Sequence, residues 1–236
     1  MTKTPIFAAC ICLAYLAVSA FGQDPLKVAP NAYKLQFENE SVKVTRVHYG
    51  PHEKIPVHSH TEYGTAYVYL NDCGPVVFKH INEKYADVTR PETKTGSFRL
   101  FRTVKEVHEV ENPNDTPSDF LRVEFKTIED KKKPLQGKFH SEDYSAGRDS
   151  VKIQFENDQI RATRFSCAQI CTLPVNSGED AIVVLITPAK LKSGKTAEPG
   201  STFWIENGSA EQFAKNGSER VELIRFDLKS KPLSKK

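Results

Sequence analysis

The sequence predicts an all-β protein that contains two similar β-barrels in tandem, with short loops and few helices. The main observation is an internal repeat, because residues 34–46 (KLQFENESVKVTR) return as residues 152–164 (KIQFENDQIRATR). A second pair of related blocks, residues 96–112 and 200–216, follows in the same order in each copy. Related blocks in a fixed order indicate that one structural unit has been duplicated.

Within each copy the residues are typical of short β-strands. Residues 67–72 (YVYLND) and 181–187 (AIVVLIT) are rich in β-branched and aromatic side chains, and residues 120–125 alternate apolar with charged ones. Turn-forming residues recur at short spacing, and no long amphipathic helix is evident. Many short strands separated by turns are typical of a barrel or a sandwich.

The repeat also sets the expected domain boundaries. The two barrels are predicted at residues 33–128 and 150–229, a polar linker at 129–149, and a basic tail at 230–236. Part of the linker is expected to cover a barrel edge.

Residues 1–22 predict a cleaved secretory signal peptide, and therefore a secreted or periplasmic protein. The apolar run of residues 5–22 is too short and wrongly flanked for a membrane span, and it ends in small residues. A lipoprotein signal at Cys10 and an uncleaved anchor are the alternatives. No second apolar span follows, so no stable membrane span is expected after signal removal.

The charge pattern argues against a nucleic-acid partner. The net charge is only +3, and its basic clusters at residues 130–133 and in the tail are best interpreted as solvated linker and tail. No nucleic-acid motif, glycine-rich phosphate loop or G-x-S-x-G sequence occurs. The expected partner is a small-molecule ligand, and a homo-oligomer is compatible with the sequence.

Three cysteines remain after the signal peptide: Cys73, Cys167 and Cys171. Four residues of extended strand span roughly 13 Å, whereas a disulfide needs Cα atoms within about 7 Å. A bridge between Cys167 and Cys171 would require a turn between them. We therefore expect no intrachain disulfide.

The motif IPVHSH predicts a metal site in the first copy. His58 and His60 share one face of a strand at roughly 7 Å spacing, and imidazole nitrogens can converge on an ion roughly 2 Å from each. The third ligand is expected to be His108, from another strand, and Glu62 is a secondary candidate on the same nominal face. The remaining histidines have no partner at ligand spacing and are expected at the surface: His48, His52, His80 and His140.

These residues resemble the two sequence motifs of the cupins, a superfamily of jelly-roll barrels. The first motif is matched by Gly50, His58 and His60, and the second by Gly96, His108 and Asn112. The resemblance spans about residues 33–228, and the duplication makes the chain similar to a bicupin. It departs from the family where a glutamate ligand is expected, since Gly64 and Thr65 stand near that position, and the Pro-x-Gly of the second motif is missing.

The resemblance implies a mononuclear site for a divalent ion: iron, manganese, zinc, nickel or copper. Cupins that resemble thiol dioxygenases use three histidines to hold iron. The predicted function is a metal-dependent small-molecule oxygenase or isomerase, with lyase chemistry also compatible and no catalytic residue identified. The alternatives are a non-catalytic cupin that binds a small molecule and a structural or interaction scaffold.

The second copy lacks all three candidate ligands. In the aligned blocks Asn176, Gly178 and Gln212 stand where the first copy has its histidines. We expect no metal there and a structural role instead, in which this copy covers a strand edge or a hydrophobic face of the first barrel. The alternative is a metal-free ligand pocket with Trp204 as one wall.

Overall fold

The computed structural model describes residues 23–60, 62–81, 86–102, 106–140, 148–175, 178–217 and 219–234. Within these ranges the chain forms nineteen strands and one short helix, so the all-β prediction is confirmed. No helix of the described chain has the length and apolar character needed to cross a membrane. The predicted signal peptide lies outside the described residues.

The elements follow in this order. The first part of the chain contains α1 (Pro25–Val28), β1 (Tyr33–Glu38), β2 (Val42–Tyr49), β3 (Lys54–Ser59), β4 (Gly64–Tyr69), β5 (Val76–His80), β6 (Val88–Arg90), β7 (Phe98–Phe101), β8 (Val107–Glu111), β9 (Ser118–Phe125) and β10 (Gln136–Phe139). The second part contains β11 (Ser150–Glu156), β12 (Ile160–Cys167), β13 (Ile170–Thr172), β14 (Asp180–Leu185), β15 (Ala189–Leu191), β16 (Thr196–Ala197), β17 (Thr202–Ile205), β18 (Gln212–Lys215) and β19 (Val221–Leu228).

Each half of the chain pairs a large sheet with a small one. The large sheets have the orders β1-β2-β9-β4-β7-β10 and β11-β12-β19-β14-β17, and the small sheets have the orders β3-β8-β5-β6 and β13-β18-β15-β16. The shared order, and a register shift between Leu35 and Phe37 that recurs between Ile153 and Phe155, show the duplication in three dimensions. Strand β10 lies in the predicted linker segment and pairs with β7 at the edge of the first large sheet.

A hydrophobic core lies between the two large sheets. It combines buried residues of β2, β4, β7 and β9 with buried residues of β12, β14 and β19. At its centre the ring of Phe226 lies 5.7 Å from that of Phe98 and 5.6 Å from that of Phe125, measured between centroids. The second half therefore covers the apolar face of the first large sheet.

The alternating strands β9 and β19 are buried on both faces. Alternation of apolar and charged residues usually leaves one face in water, but here the apolar face packs against the other half. The charged residues are buried on the opposite face, where Arg122 Nη2 lies 3.3 Å from Glu124 Oε1, and Arg225 Nε lies 2.5 Å from Asp227 Oδ1. Both halves thus carry a buried ion pair at the same position of the repeat.

The rest of the two interiors differs in polarity. In the second half it is filled by an apolar cluster that includes Phe165, Leu185 and Phe213. In the first half the corresponding cluster is rich in tyrosine and contacts the histidines, and it contains Tyr33, Tyr49 and Tyr67. Among the described residues, the first interior is therefore the richer of the two in histidine and tyrosine.

The expectation of no intrachain disulfide is wrong, because Cys167 and Cys171 are bonded, with their Cα atoms 5.3 Å apart. The chain bends at Ala168 and Gln169, where it leaves β12 in the large sheet and enters β13 in the small sheet. That bend supplies the turn that an extended strand lacks. Cys73 is buried and unpaired.

Reduction of this disulfide is expected to lower the free energy of unfolding by about 2 kcal/mol, because the bond closes a short loop in the unfolded chain. Urea unfolding with and without a thiol reductant measures the difference. A Cys167→Ser/Cys171→Ser double variant serves as the control and should not respond to the reductant. A mass equal to that of the fully reduced chain, under non-reducing conditions, would contradict the bond itself.

Glu156, at the end of β11 in the second large sheet, is expected to make the stability of the protein depend on pH. Hydrogen bonds from Arg161 at 2.9 Å and Lys229 at 2.8 Å lower the pKa of its carboxyl group to about 2. A lowered folded-state pKa stabilises the protein above the unfolded value near 4.3, and this contribution disappears as pH falls toward 2. Since the side chain is 36% exposed, the contribution should stay below about 1 kcal/mol.

Urea unfolding of Glu156→Gln beside the natural chain at pH 7, 4 and 2.5 tests this dependence. The difference in stability should be largest at pH 7 and shrink with acid. Glu206→Gln, in an exposed turn, corrects for the change in net charge. A Glu156→Gln difference that stays constant with pH would show that the ion pairs do not set the pKa.

Candidate metal centre

The three predicted histidines converge in the first barrel. His58 on β3 lies directly opposite His108 on β8, and His60 follows β3. The Nε2 atoms of His58 and His60 are 3.1 Å apart, and one ligand nitrogen from each of the three residues lies within 4.8 Å of the others. Three nitrogens at this spacing match the donor set of a mononuclear divalent site.

A bulge in β3 directs His58 inward. Ile55 pairs with Val110 and His58 with His108, so three steps along β3 match two steps along β8. The extra residue places both Ile55 and His58 on the buried face, which strict alternation would not allow. Pro56 lies in this bulge, where its missing N–H is tolerated.

The same bulge sets the tautomer of His58. Its Nδ1–H donates to the carbonyl oxygen of Pro56 at 2.8 Å, which leaves the lone pair on Nε2. His108 is 1% exposed, and neither of its ring nitrogens has a hydrogen-bond partner among the described residues. Buried polar atoms without partners are rare and costly. A bound ion would supply the partner that His108 lacks.

The surroundings keep the imidazoles neutral, which is the form that binds metal. Burial lowers the pKa of His58 and lowers that of His60 further, and the nearby Arg122 guanidinium acts in the same direction. Burial, followed by the charges of His58 and Arg90, lowers the pKa of His108 to about 2. Desolvation disfavours the charged imidazolium in each case.

Two tyrosines complete the wall of the site. The Tyr33 hydroxyl lies 2.9 Å from His58 Nε2 and 2.7 Å from the Tyr49 hydroxyl, and burial raises the pKa of both phenols. Tyr33 can therefore act as a neutral hydrogen-bonding group beside the ligand nitrogens. The sequence prediction missed both residues, although the repeat held a signal, because Val151 and Cys167 stand at the matching places of the second copy.

His80 is not an ordinary surface residue, contrary to the expectation from sequence. It lies opposite His108 on β5, and it forms a second cluster with His108 and Glu106 whose ligand atoms lie within 4.8 Å of one another. Glu106 Oε2 is 3.6 Å from His108 Nδ1. His108 thus belongs to two potential ligand sets. Glu62 is exposed and belongs to neither.

The other histidines lie outside both clusters. His48, His52 and His140 are exposed, and His52 Nε2 lies 2.8 Å from Asp115 Oδ1. In the second half Gly178 and Gln212 are also exposed, while Asn176 lies outside the described residues. The inward residue of β18 is Phe213, so the register of the strand places Gln212 on the outer face. Among the described residues, the second half offers no cluster of potential metal ligands.

Two cavities lie near the triad. One of about 170 Å³ is lined by Tyr33, His60 and Arg122, together with residues of α1. Another of about 380 Å³, which we call the basic cavity, is lined by His80, Glu106 and residues of β6, β7 and β10. A space of about 10 Å³ at the triad itself is bordered by His60 and His108, which is close to the size of one water molecule.

The comparisons with known proteins find folds similar to this one among solved cupin structures. No family model matches the chain, and no curated protein matches it. Similar solved structures include a cupin 2 conserved barrel domain protein from Leptotrichia buccalis, with a TM-score of 0.52 and 11% identity over 83% of this chain and 88% of that one. Salicylate 1,2-dioxygenase from Pseudaminobacter salicylatoxidans gives a TM-score of 0.52 and 10% identity over 83% of this chain and 75% of that one.

A third similar structure, AerE from Microcystis aeruginosa, gives a TM-score of 0.51 and 10% identity over 84% of this chain and 97% of that one. At these identities the likeness establishes the fold. The predicted resemblance is thereby confirmed at the level of architecture, as two tandem cupin barrels.

Proposed function

We propose that this chain of two tandem cupin barrels is a secreted or periplasmic metalloprotein with one mononuclear site in the first barrel, acting as an oxygenase or isomerase on a small molecule. The observation that carries the proposal is the convergence of His58, His60 and His108, with neither buried ring nitrogen of His108 hydrogen-bonded to the described residues. Secretion is supported by the apolar run before Gly22.

The donor set suits iron, zinc, nickel or copper, since neutral imidazoles bind all of these. Without Glu62 the set carries no charge, so a divalent ion would keep its full charge and favour an anionic ligand. Such an ion would supply Lewis acidity and open coordination positions for substrate. One fold neighbour is a dioxygenase by name, but at 10% identity the reaction class rests on the donor set.

The protein side chains have separate roles in this proposal. Pro56 fixes His58 with its Nε2 lone pair toward the centre. Glu106 lies near Nδ1 of His108 and is placed to orient that ring, as carboxylates commonly orient metal-ligating histidines. Tyr33, which also borders the cavity of about 170 Å³, can donate a hydrogen bond to a ligand at the centre.

Oxygen uptake tests the reaction class. Purified protein would be loaded separately with ferrous iron, manganese, nickel, copper and zinc, and then incubated with a panel of small organic acids, alcohols and thiols. Oxygen consumption or product formation that requires metal, and that is absent in His60→Ala, supports an enzyme. Stoichiometric metal without turnover of any panel member would favour the non-catalytic binding protein, and absence of bound metal would favour the scaffold.

A further inference from the structure

The basic cavity contains an excess of positive charge beside the candidate metal centre. Arg90 from β6, Arg99 from β7 and Lys138 from β10 line it, and the acidic residues among its described lining are Glu92 and Glu106. Its volume of about 380 Å³ lies within the range of small-molecule sites.

Arg99 carries the argument for a ligand. Its Nε and Nη2 atoms are buried and have no hydrogen-bond partner in the described part of the chain, although Tyr69 does interact with this side chain. Burial, together with the charge of Arg90, lowers the pKa of its guanidinium group. Buried N–H groups of a cation without acceptors are strongly unfavourable. An anion in the cavity would satisfy them.

Aromatic rings hold the two guanidinium groups in place. The Arg99 guanidinium carbon lies 4.4 Å from the ring centre of Tyr67, and that of Arg90 lies 4.0 Å from the ring centre of Phe78. Stacking fixes the plane of a guanidinium group, whose planar set of N–H donors matches a two-oxygen acceptor.

Part of the cavity wall is aromatic. The rings of Phe98 and Phe139 stack with centroids 4.7 Å apart, and Phe101 also lines the cavity. A ligand here therefore meets cationic groups at one place and aromatic carbon at another. This combination fits a carboxylate with an apolar body better than an inorganic anion.

The cavity lies beside the candidate metal centre, and the two have neighbouring or shared lining residues. Arg90 borders both the basic cavity and the small space beside His60 and His108. His80 and Glu106 line the cavity and lie next to His108. A molecule held by the arginines would therefore lie next to the residues that surround His108.

We infer that the basic cavity binds a small organic carboxylate through Arg99 and Arg90, with its apolar part against Phe98, Phe101 and Phe139. This inference adds a substrate class to the proposed function. It rests on the proposed function only where the ligand is called a substrate. Binding of the carboxylate itself does not require the metal.

Calorimetric titration of metal-free protein with benzoate tests the inference. The natural chain should bind benzoate and should bind benzyl alcohol, which lacks the charge, far more weakly. Arg99→Gln should weaken benzoate binding about 10- to 100-fold, which corresponds to the loss of hydrogen bonds to a charged group. Arg102→Gln removes an exposed arginine outside this cavity and should leave the affinity unchanged.

Arg99→Gln is expected to fold, because it removes a buried charge that lacks full compensation, and a thermal scan checks this. Equal benzoate affinity in Arg99→Gln and the natural chain, or no binding by the natural chain, would overturn the inference. Inorganic phosphate binding as tightly as benzoate would overturn the assigned role of the aromatic wall.

Metal content, measured on separate samples, keeps this test distinct from that of the proposed function. A natural chain that binds benzoate but takes up no metal would refute the metalloenzyme and retain the carboxylate site. A natural chain that takes up metal but does not bind benzoate would refute the carboxylate site and retain the metal site.

Discussion

Replacement of His108 by alanine is expected to reduce bound metal from stoichiometric to background. His108 is buried, neither of its ring nitrogens has a hydrogen-bond partner in the described chain, and it is shared by both potential ligand sets. Loss of a supporting residue alone weakens metal sites about 10- to 100-fold, so loss of a ligand should exceed this. Elemental analysis after dialysis against metal, with the natural chain in parallel, measures the effect.

His48→Ala is the matched control, since His48 is exposed on β2 and lies outside both clusters. Two further variants identify the set that binds the ion. Loss of metal in His60→Ala but not in His80→Ala assigns it to the triad, and the opposite result assigns it to the cluster with Glu106. Undiminished metal content in His108→Ala, with the protein folded, would end the metal-site hypothesis.

The parts of this site that could be predicted are those with a local pattern. His58 and His60 alternate along one strand, so their shared direction follows from period two. His108 was chosen as the distant third histidine of a His-x-His pattern, because pairing between β3 and β8 leaves no spacing rule in the sequence. The bulge at Pro56 was not predicted, since a single proline in a strand does not by itself reveal the register of the partner strand.

His80 was missed because its partners are distant in sequence. It is brought to His108 by the pairing of β5 with β8. A weaker signal was present, since Val76, Phe78 and His80 alternate on one face of β5 and the first two are buried. In β9 the alternation of charged and apolar residues did not reveal which face is buried. Arg122 and Glu124 lie inside the protein, and the apolar face is covered by the second half.

The repeat itself predicted the fold, but it could not show how the copies contact each other. Each large sheet has one face toward its own interior and one toward the other half. The alternation of residues along a strand distinguishes the two faces of its sheet, but it does not identify the part of the chain that covers each face. The second half shields an apolar face of the first large sheet that would otherwise lie in water.

Phe226→Ala is expected to lower the free energy of unfolding by about 3–5 kcal/mol. The ring is fully buried and contacts Phe98 and Phe125 of the first half, so the cavity would open in the core that joins the two halves. We therefore expect one cooperative transition in the natural chain and a loss of coupling between the halves in this variant.

The chain has two optical probes: the tyrosines report on the first half, and Trp204 reports on the second half and on its contact with Phe37 of the first. All eight tyrosines precede residue 150, and the single tryptophan, Trp204, lies in the second half. Tyrosine circular dichroism and tryptophan fluorescence should give coincident urea transitions in the natural chain, which is the test of a single cooperative unit. In Phe226→Ala the two transitions should move to lower urea and separate.

Phe213→Ala is the matched control for this prediction. Phe213 is also fully buried, but it packs within the second interior, where its ring lies 5.2 Å from that of Phe203. Its replacement should cost a similar free energy, and the intact core between the sheets should keep the two probes coincident. Separate transitions already present in the natural chain, or a cost below about 1 kcal/mol for Phe226→Ala, would show that the large sheets do not stabilise each other, and the second half would then need a role other than support for the first.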